Sequence, residues 1–316
     1  RLRGFCLSII EQTSDLVCGY KPNFAFFEQA GPEGLEALRD VIAAIPEELP
    51  VILDAKRGDI GNTARAYARA AFEIWDADAI TISPYLGGDS VSPFLAYEGK
   101  AVFLLSHTSN PSAAAIQLHG EGGQDGPLFA HVTRQGQAWG GADRVGFVVG
   151  ATQIEALAAV RELAPDRWIL APGVGAQGAD LGAALAAGLD VRGRGLIVPV
   201  SRGVLYADDP WEAAQEIRDR INRARVFAPH RDLVLGLFEA DCVQFGQFTL
   251  ASGQTSPIYV DLRRVISYPS LFHSVVDAYV DLVRPLRYDR LAAVPYAALP
   301  ATAAVAMALD APLLSP

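Results

Sequence analysis

Residues 51–63 read VILDAKRGDIGNT. The stretch opens as a short apolar strand, Val51-Ile52-Leu53. It then gathers Asp54, Lys56, Arg57 and Asp59 and closes with Gly58, Gly61 and Asn62 in the loop. Side chains two apart along a strand share a face. Asp54 and Lys56 therefore point the same way off the carboxyl end of a buried strand, and Asp59 follows in the loop. Adjacent buried charges are costly unless they pair with one another or serve a reaction. A salt-bridge cluster that staples the strand end is the plain reading; a charged reaction site is the other.

Working outward, the pattern repeats. Upstream, Leu2, Phe5, Cys6, Ile9 and Ile10 recur at helical spacing, so the chain begins inside a helix. A short strand near 16–20 delivers Lys21 at its end, and a helix follows near 34–44. Downstream, a helix is expected over 62–75. Apolar strands come near 79–83, 101–105, 145–149, 168–172 and 196–200, with helical patterns near 127–139, 152–163, 179–187 and 210–223. Short apolar strands alternating with helices predict right-handed crossovers and a parallel sheet covered on both faces. The expected fold class is α/β: a (β/α)8 TIM barrel without its first strand, with an open doubly wound sheet as the alternative.

In such a barrel the chemistry sits on the loops after the strands. Those loops carry Lys21; Asp54, Lys56 and Asp59; Pro84-Tyr85-Leu86; Thr108-Ser109-Asn110; Gly150-Ala151-Thr152; 172–178 (PGVGAQG); and Ser201-Arg202-Gly203. The last two suit an anion, because glycines let backbone N–H groups approach and Arg202 adds a bidentate donor.

These pieces carry a family likeness. In order, GYKPNFAFFE (19–28), LDAKRGDIGNT (53–63), ISPYLGGDSVSPF (82–94), HTSNPSA (107–113), VVGAT (148–152), PGVGAQG and VSRGVLYA (200–207) resemble the successive motifs of orotidine 5'-phosphate decarboxylases, in the branch with D-x-K-R-x-D-I. The likeness covers about residues 1–223. It implies that Lys21, Asp54 and Lys56 form the charged network around the reacting carbon. It implies that Asp59 and Thr63 reach into a neighbouring subunit's site, that Ser109 contacts the pyrimidine, and that Gln177 and Arg202, with Gly203 beside it, bind the phosphate. It further implies a cytoplasmic homodimer that turns orotidine 5'-phosphate into UMP without a cofactor. The family also carries a ribose-binding Asp on a first strand for which this sequence has no counterpart.

Residues 223–231 (RARVFAPHR) read as a linker between a decarboxylase-like region, 1–223, and a second region, 224–316. In the second, FTLASG (248–253), SPIYVDLR (256–263) and VPYAALP (294–300) resemble the amino-terminal part of orotate phosphoribosyltransferase. That likeness implies orotate and phosphoribosyl diphosphate as substrates, Mg2+ as cofactor, and Ser252, Gly253, Tyr259 and Arg263 as candidate pocket residues. For Tyr259 and Arg263, packing and an ion pair are the competing reading. Ala251 stands where that family usually has Lys, and the acidic phosphoribosyl-diphosphate loop has no counterpart, so a partial α/β transferase domain is expected.

Composition narrows the rest. A net charge of −10 over 316 residues disfavours nucleic acid and anionic membranes as partners. The five His show no ligand spacing, and the three Cys (Cys6, Cys18, Cys242) read as thiols in a reducing compartment; no protein metal site is expected. A metal-dependent sugar-phosphate decarboxylase on the same barrel, and a nucleotide-binding scaffold without turnover, are the rival functions.

Overall fold

The computed structural model describes residues 1–123, 126–174, 179–250, 252–294 and 298–314. They divide into two compact units, Arg1–Ala228 and Pro229–Pro316. The stretch expected to be a linker is helical instead. Helix Pro210–Phe227 runs through it, a 3-10 turn covers Ala228–His230, and helix Arg231–Glu239 follows at once. Asp209 caps the long helix by accepting the Glu212 N–H, and Pro210 occupies its first turn, where its missing N–H costs nothing.

The larger unit is built on six strands: β1 (Ile52–Arg57), β2 (Ala79–Ile82), β3 (Ala101–His107), β4 (Val145–Val149), β5 (Ile169–Leu170) and β6 (Leu196–Ile197). They lie side by side in chain order, and every neighbouring pair is parallel. The two-residue period sorts their side chains. Leu53, Ile80, Val102, Leu104, Phe147 and Ile169 pack with helix residues such as Leu38, Ala68, Phe94 and Leu157. Ile52, Ala79, Phe103, Val148 and Leu170 form a second cluster made of strand residues alone. One face of the sheet thus meets the helices and the other lines an interior, as a TIM-type barrel requires.

Two expectations change in detail. The segment around Lys21 is not a strand; its backbone meets the edge of β1 at the isolated bridges Tyr20–Val51 and Asn23–Asp54. Pro22 has no N–H to donate, which interrupts the ladder. A Cβ on Gly19 would lie 2.7 Å from the Pro50 carbonyl oxygen, so the chain passes too close there for a larger residue. The helix expected over 62–75 is α-helical across Gly61–Arg69 and continues as a π turn over Ala70–Ile74, with Phe72 edge-on to Phe94.

In the smaller unit β7 (Val243–Thr249) and β8 (Thr255–Val260) form an antiparallel hairpin. Helix Pro269–Val283 follows, and β9 (Leu291–Ala292) pairs in parallel with β10 (Leu313–Leu314) across helix Leu299–Ala308. Ala240, Cys242, Val265 and Val275 make its buried centre. Among the described residues, no helix is long and apolar enough to cross a membrane.

Candidate active site

Asp54 is the hub of the larger unit. By strand parity it shares the interior face with Ile52. Its residue is 8% exposed, and both carboxylate oxygens are engaged. Lys21 Nζ donates to Oδ2 at 2.6 Å, and Lys56 Nζ donates to Oδ1 at 2.5 Å. Burial pushes the Asp54 carboxyl up, but the charges and hydrogen bonds of Lys21 and Lys56 outweigh it and hold the group below the usual carboxylate range. The two lysines differ. Lys21 is nearly enclosed, with its side chain 15% exposed, whereas the Lys56 side chain is half exposed and can meet a ligand.

The backbone at Lys56 is unusual. Its φ is +48°, a left-handed conformation that costs a non-glycine residue about 1–2 kcal/mol. Three contacts hold it. Thr81 on β2 accepts the Lys56 N–H, the Arg57 carbonyl accepts the Ser83 N–H at 2.8 Å, and the Arg57 guanidinium lies between two rings, 4.9 Å from the Phe24 centroid and 5.1 Å from that of Tyr67. Thr81 and the stacked role of Arg57 were not singled out from the sequence. The available signal was one hydroxyl within the apolar run of β2, at the same strand parity as Ala79.

Asp59 lies in the loop after β1, where its Oδ1 accepts the N–H of Ile60, and Thr63 is exposed on the first turn of the next helix. Neither belongs to the Asp54 cluster. Ser109 sits just past β3, hard against the loop after β4: a Cβ on Gly150 would come within 2.9 Å of both its Cβ and its N. Arg202 and Gly203 are exposed at the start of the short helix Arg202–Leu205, after β6. Gln177 lies outside the described residues, as does Ala251. Because the six strands are all parallel, the loops that carry Asp59, Ser109 and Arg202 leave the same edge of the sheet, at the carboxyl ends of the strands.

In the smaller unit Ser252 and Gly253 form the hairpin turn, with Gly253 at φ +80°. Tyr259 pairs with Gln244 at the far end of the hairpin and leans on Phe248, ring centroids 5.5 Å apart. Arg263 makes a two-pronged ion pair with Asp261 (2.6 and 2.7 Å), whose hydrogen bonds hold the guanidinium further in its charged form. Tyr259 is also within hydrogen-bonding reach of Arg263, so those two candidate pocket residues are brought together, while Ser252 and Gly253 stand at the turn. Among the described residues, no group of three or more His, Cys, Asp or Glu is arranged to hold a metal ion.

Residues 5–217 match the orotidine 5'-phosphate decarboxylase / HUMPS family. The chain is 40% identical to the bifunctional enzyme PyrF/PyrE of Nostoc sp., over 98% of this chain and 68% of that protein. It is 48% identical to the orotidine 5'-phosphate decarboxylase of Thermomicrobium roseum, over 70% of this chain and 82% of the relative. Among solved structures, Leishmania donovani UMP synthase superposes with a TM-score of 0.74 at 46% identity, covering 98% of this chain and 69% of that one.

Proposed function

The chain belongs to the orotidine 5'-phosphate decarboxylase / HUMPS family, and from that premise we propose that its larger unit decarboxylates orotidine 5'-phosphate to UMP in pyrimidine biosynthesis. The observation that carries this reading is Asp54 holding one lysine ammonium on each carboxylate oxygen, at the strand end where the family motif falls. Lys21 is nearly enclosed and fixes Asp54. Lys56 is the half-exposed cation available to substrate.

The chemistry follows from that difference. The bond between pyrimidine carbon 6 and its carboxylate breaks, carbon dioxide leaves, and the electron pair stays on carbon 6. The Lys56 ammonium stabilises that charge and then gives carbon 6 its proton. A fixed ammonium supplies what an electron sink would, so the reaction as drawn uses no cofactor. Asp54 keeps the lysine in place before and after the transfer. Ser109 is assigned to the pyrimidine, and Arg202, Gly203 and Gln177 to the phosphate, whose remote binding energy anchors the nucleotide. Asp59, half-buried in the loop after β1, and the exposed Thr63 are assigned to a second copy's pocket in a homodimer. The thiols of Cys6, Cys18 and Cys242 are unpaired, which suits the reducing cytoplasm.

For the smaller unit the reading is an orotate phosphoribosyltransferase region, resting on its likeness to bifunctional relatives. Its substrates would be orotate and phosphoribosyl diphosphate. The Mg2+ expected with that diphosphate finds no cluster of protein ligands among the described residues.

The test is the ultraviolet absorbance change on mixing the purified chain with orotidine 5'-phosphate, with and without EDTA. Conversion to UMP insensitive to EDTA is expected. Conversion abolished by EDTA would point instead to a metal-dependent sugar-phosphate type of site, and binding of UMP without conversion to a scaffold.

A further inference from the structure

β1 and β2 do not run in simple register. Leu53 pairs with Ile80 and Arg57 with Ile82, so four steps on β1 face two on β2. The surplus on β1 is a bulge, and it contains Asp54, Ala55 and Lys56. A bulge takes backbone N–H groups out of the ladder, and buried donors must then find another acceptor. Asp54 N–H faces the other way, toward the 20–23 segment, and keeps its bridge bond to the Pro22 carbonyl at 3.0 Å. The two displaced donors turn to one atom: Thr81 Oγ1 accepts the N–H of Ala55 at 3.1 Å and that of Lys56 at 2.9 Å. The same hydroxyl donates to Asp54 Oδ1 at 3.0 Å. A hydroxyl has one proton to give and two lone pairs to fill. All three are used here, in a side chain that is 1% exposed.

We infer that Thr81 is a positioning residue for the reaction, which it serves by fixing the bulge so that Lys56 stays in its left-handed conformation and Asp54 keeps one oxygen turned to the Lys56 ammonium. The inference rests on the decarboxylase reading. Buried as it is, Thr81 acts through its bonds to Asp54, Ala55 and Lys56, the last of which carries the proton-donating ammonium. Neither Ile80 nor Ile82 on the same strand could replace it, since both pack toward the helices.

The experiment compares Thr81→Val, which keeps the branched shape and loses the hydroxyl, with Thr81→Ser, which keeps the hydroxyl. In Thr81→Val kcat is expected to fall about 10- to 100-fold with KM within about threefold, as for a misplaced catalytic group. Thr81→Ser should recover most of that loss. In parallel, exchange of the Ala55 and Lys56 amide protons should accelerate in Thr81→Val and stay slow in Thr81→Ser. An unchanged kcat in Thr81→Val, equal losses in both variants, or a loss carried by KM overturns the inference. Should Thr81→Val not fold, Thr81→Ser still decides, because fast exchange at Ala55 and Lys56 there overturns it. Absence of turnover in the unaltered chain overturns the functional reading instead, and the amide exchange then judges Thr81's hold on the bulge by itself.

Discussion

A single carboxylate between two ammonium groups gives Asp54 two separable duties. Lys56→Ala should remove the proton donor and the charge that stabilises the carbanion, so kcat should drop by about 10³-fold while nucleotide affinity stays close to wild type. Steady-state kinetics beside a UMP titration checks this; an unaltered kcat would remove Lys56 from the mechanism. Asp54→Asn should act on stability as well, because it leaves the nearly enclosed Lys21 without its counter-charge. A loss of about 3 kcal/mol at pH 7 is expected. The sign with pH follows from the depressed folded-state pKa of Asp54. Its contribution is full above the ordinary carboxylate value of about 4 and fades as pH falls through the lower folded value. Urea unfolding of both proteins between pH 7 and pH 2.5 should show the gap between them closing only in the acid range.

At the scale of elements, three arginines hold the opposite ends of the strands. Arg161 donates to the carbonyls of Gly188 (2.8 Å), Arg167 (2.8 Å) and Gly195 (2.7 Å), joining a helix end to the starts of β5 and β6. Arg144 reaches Lys100 and the end of helix Gly88–Leu95, and Arg167 reaches Gln137 and Gly140 at the end of helix Leu128–Trp139. Each guanidinium takes up carbonyls that a helix end leaves unpaired and sits where the helix dipole favours a cation. Burial pulls the Arg161 pKa down, with Asp190 and Asp166 offsetting part of that. Arg161→Ala should lower stability by about 3 kcal/mol with KM unaltered, measurable by urea unfolding and kinetics. Strands β1 to β4 were legible in the sequence because each is an apolar run long enough to see. β5 and β6 were found but shrink to two paired residues each. The helix through 223–227 was misread because Arg223, Arg225 and Pro229 look like loop residues, although the amphipathic run before them simply continues. That Asp54 and Lys56 meet was legible from parity and holds across the bulge, whereas their place at a reacting carbon came from the family likeness. Thr81 was not, because its role depends on a register shift between two strands that no single strand's pattern contains.

At the scale of the whole molecule, Asp59 and Thr63 set the question of assembly. If each pocket borrows them from a second copy, Lys56→Ala and Asp59→Ala fail for complementary reasons. Mixing the two inactive variants under exchanging conditions should then restore roughly a quarter of wild-type activity, since half the dimers are mixed and each mixed dimer has one intact pocket. No recovery, with exchange verified by mass, would place both residues in their own chain's site.

The bulge in β1 has a further consequence, for chain length. Between Leu53 and Arg57 the number of residues matters as much as their identity. Deleting Ala55 would turn Arg57 out from between Phe24 and Tyr67 and swing the lysine to the opposite face, even though every charged residue of the motif survived. Insertions and deletions here should therefore be as damaging as the loss of Lys56 itself, so related chains can drift in sequence around this segment more readily than in its spacing.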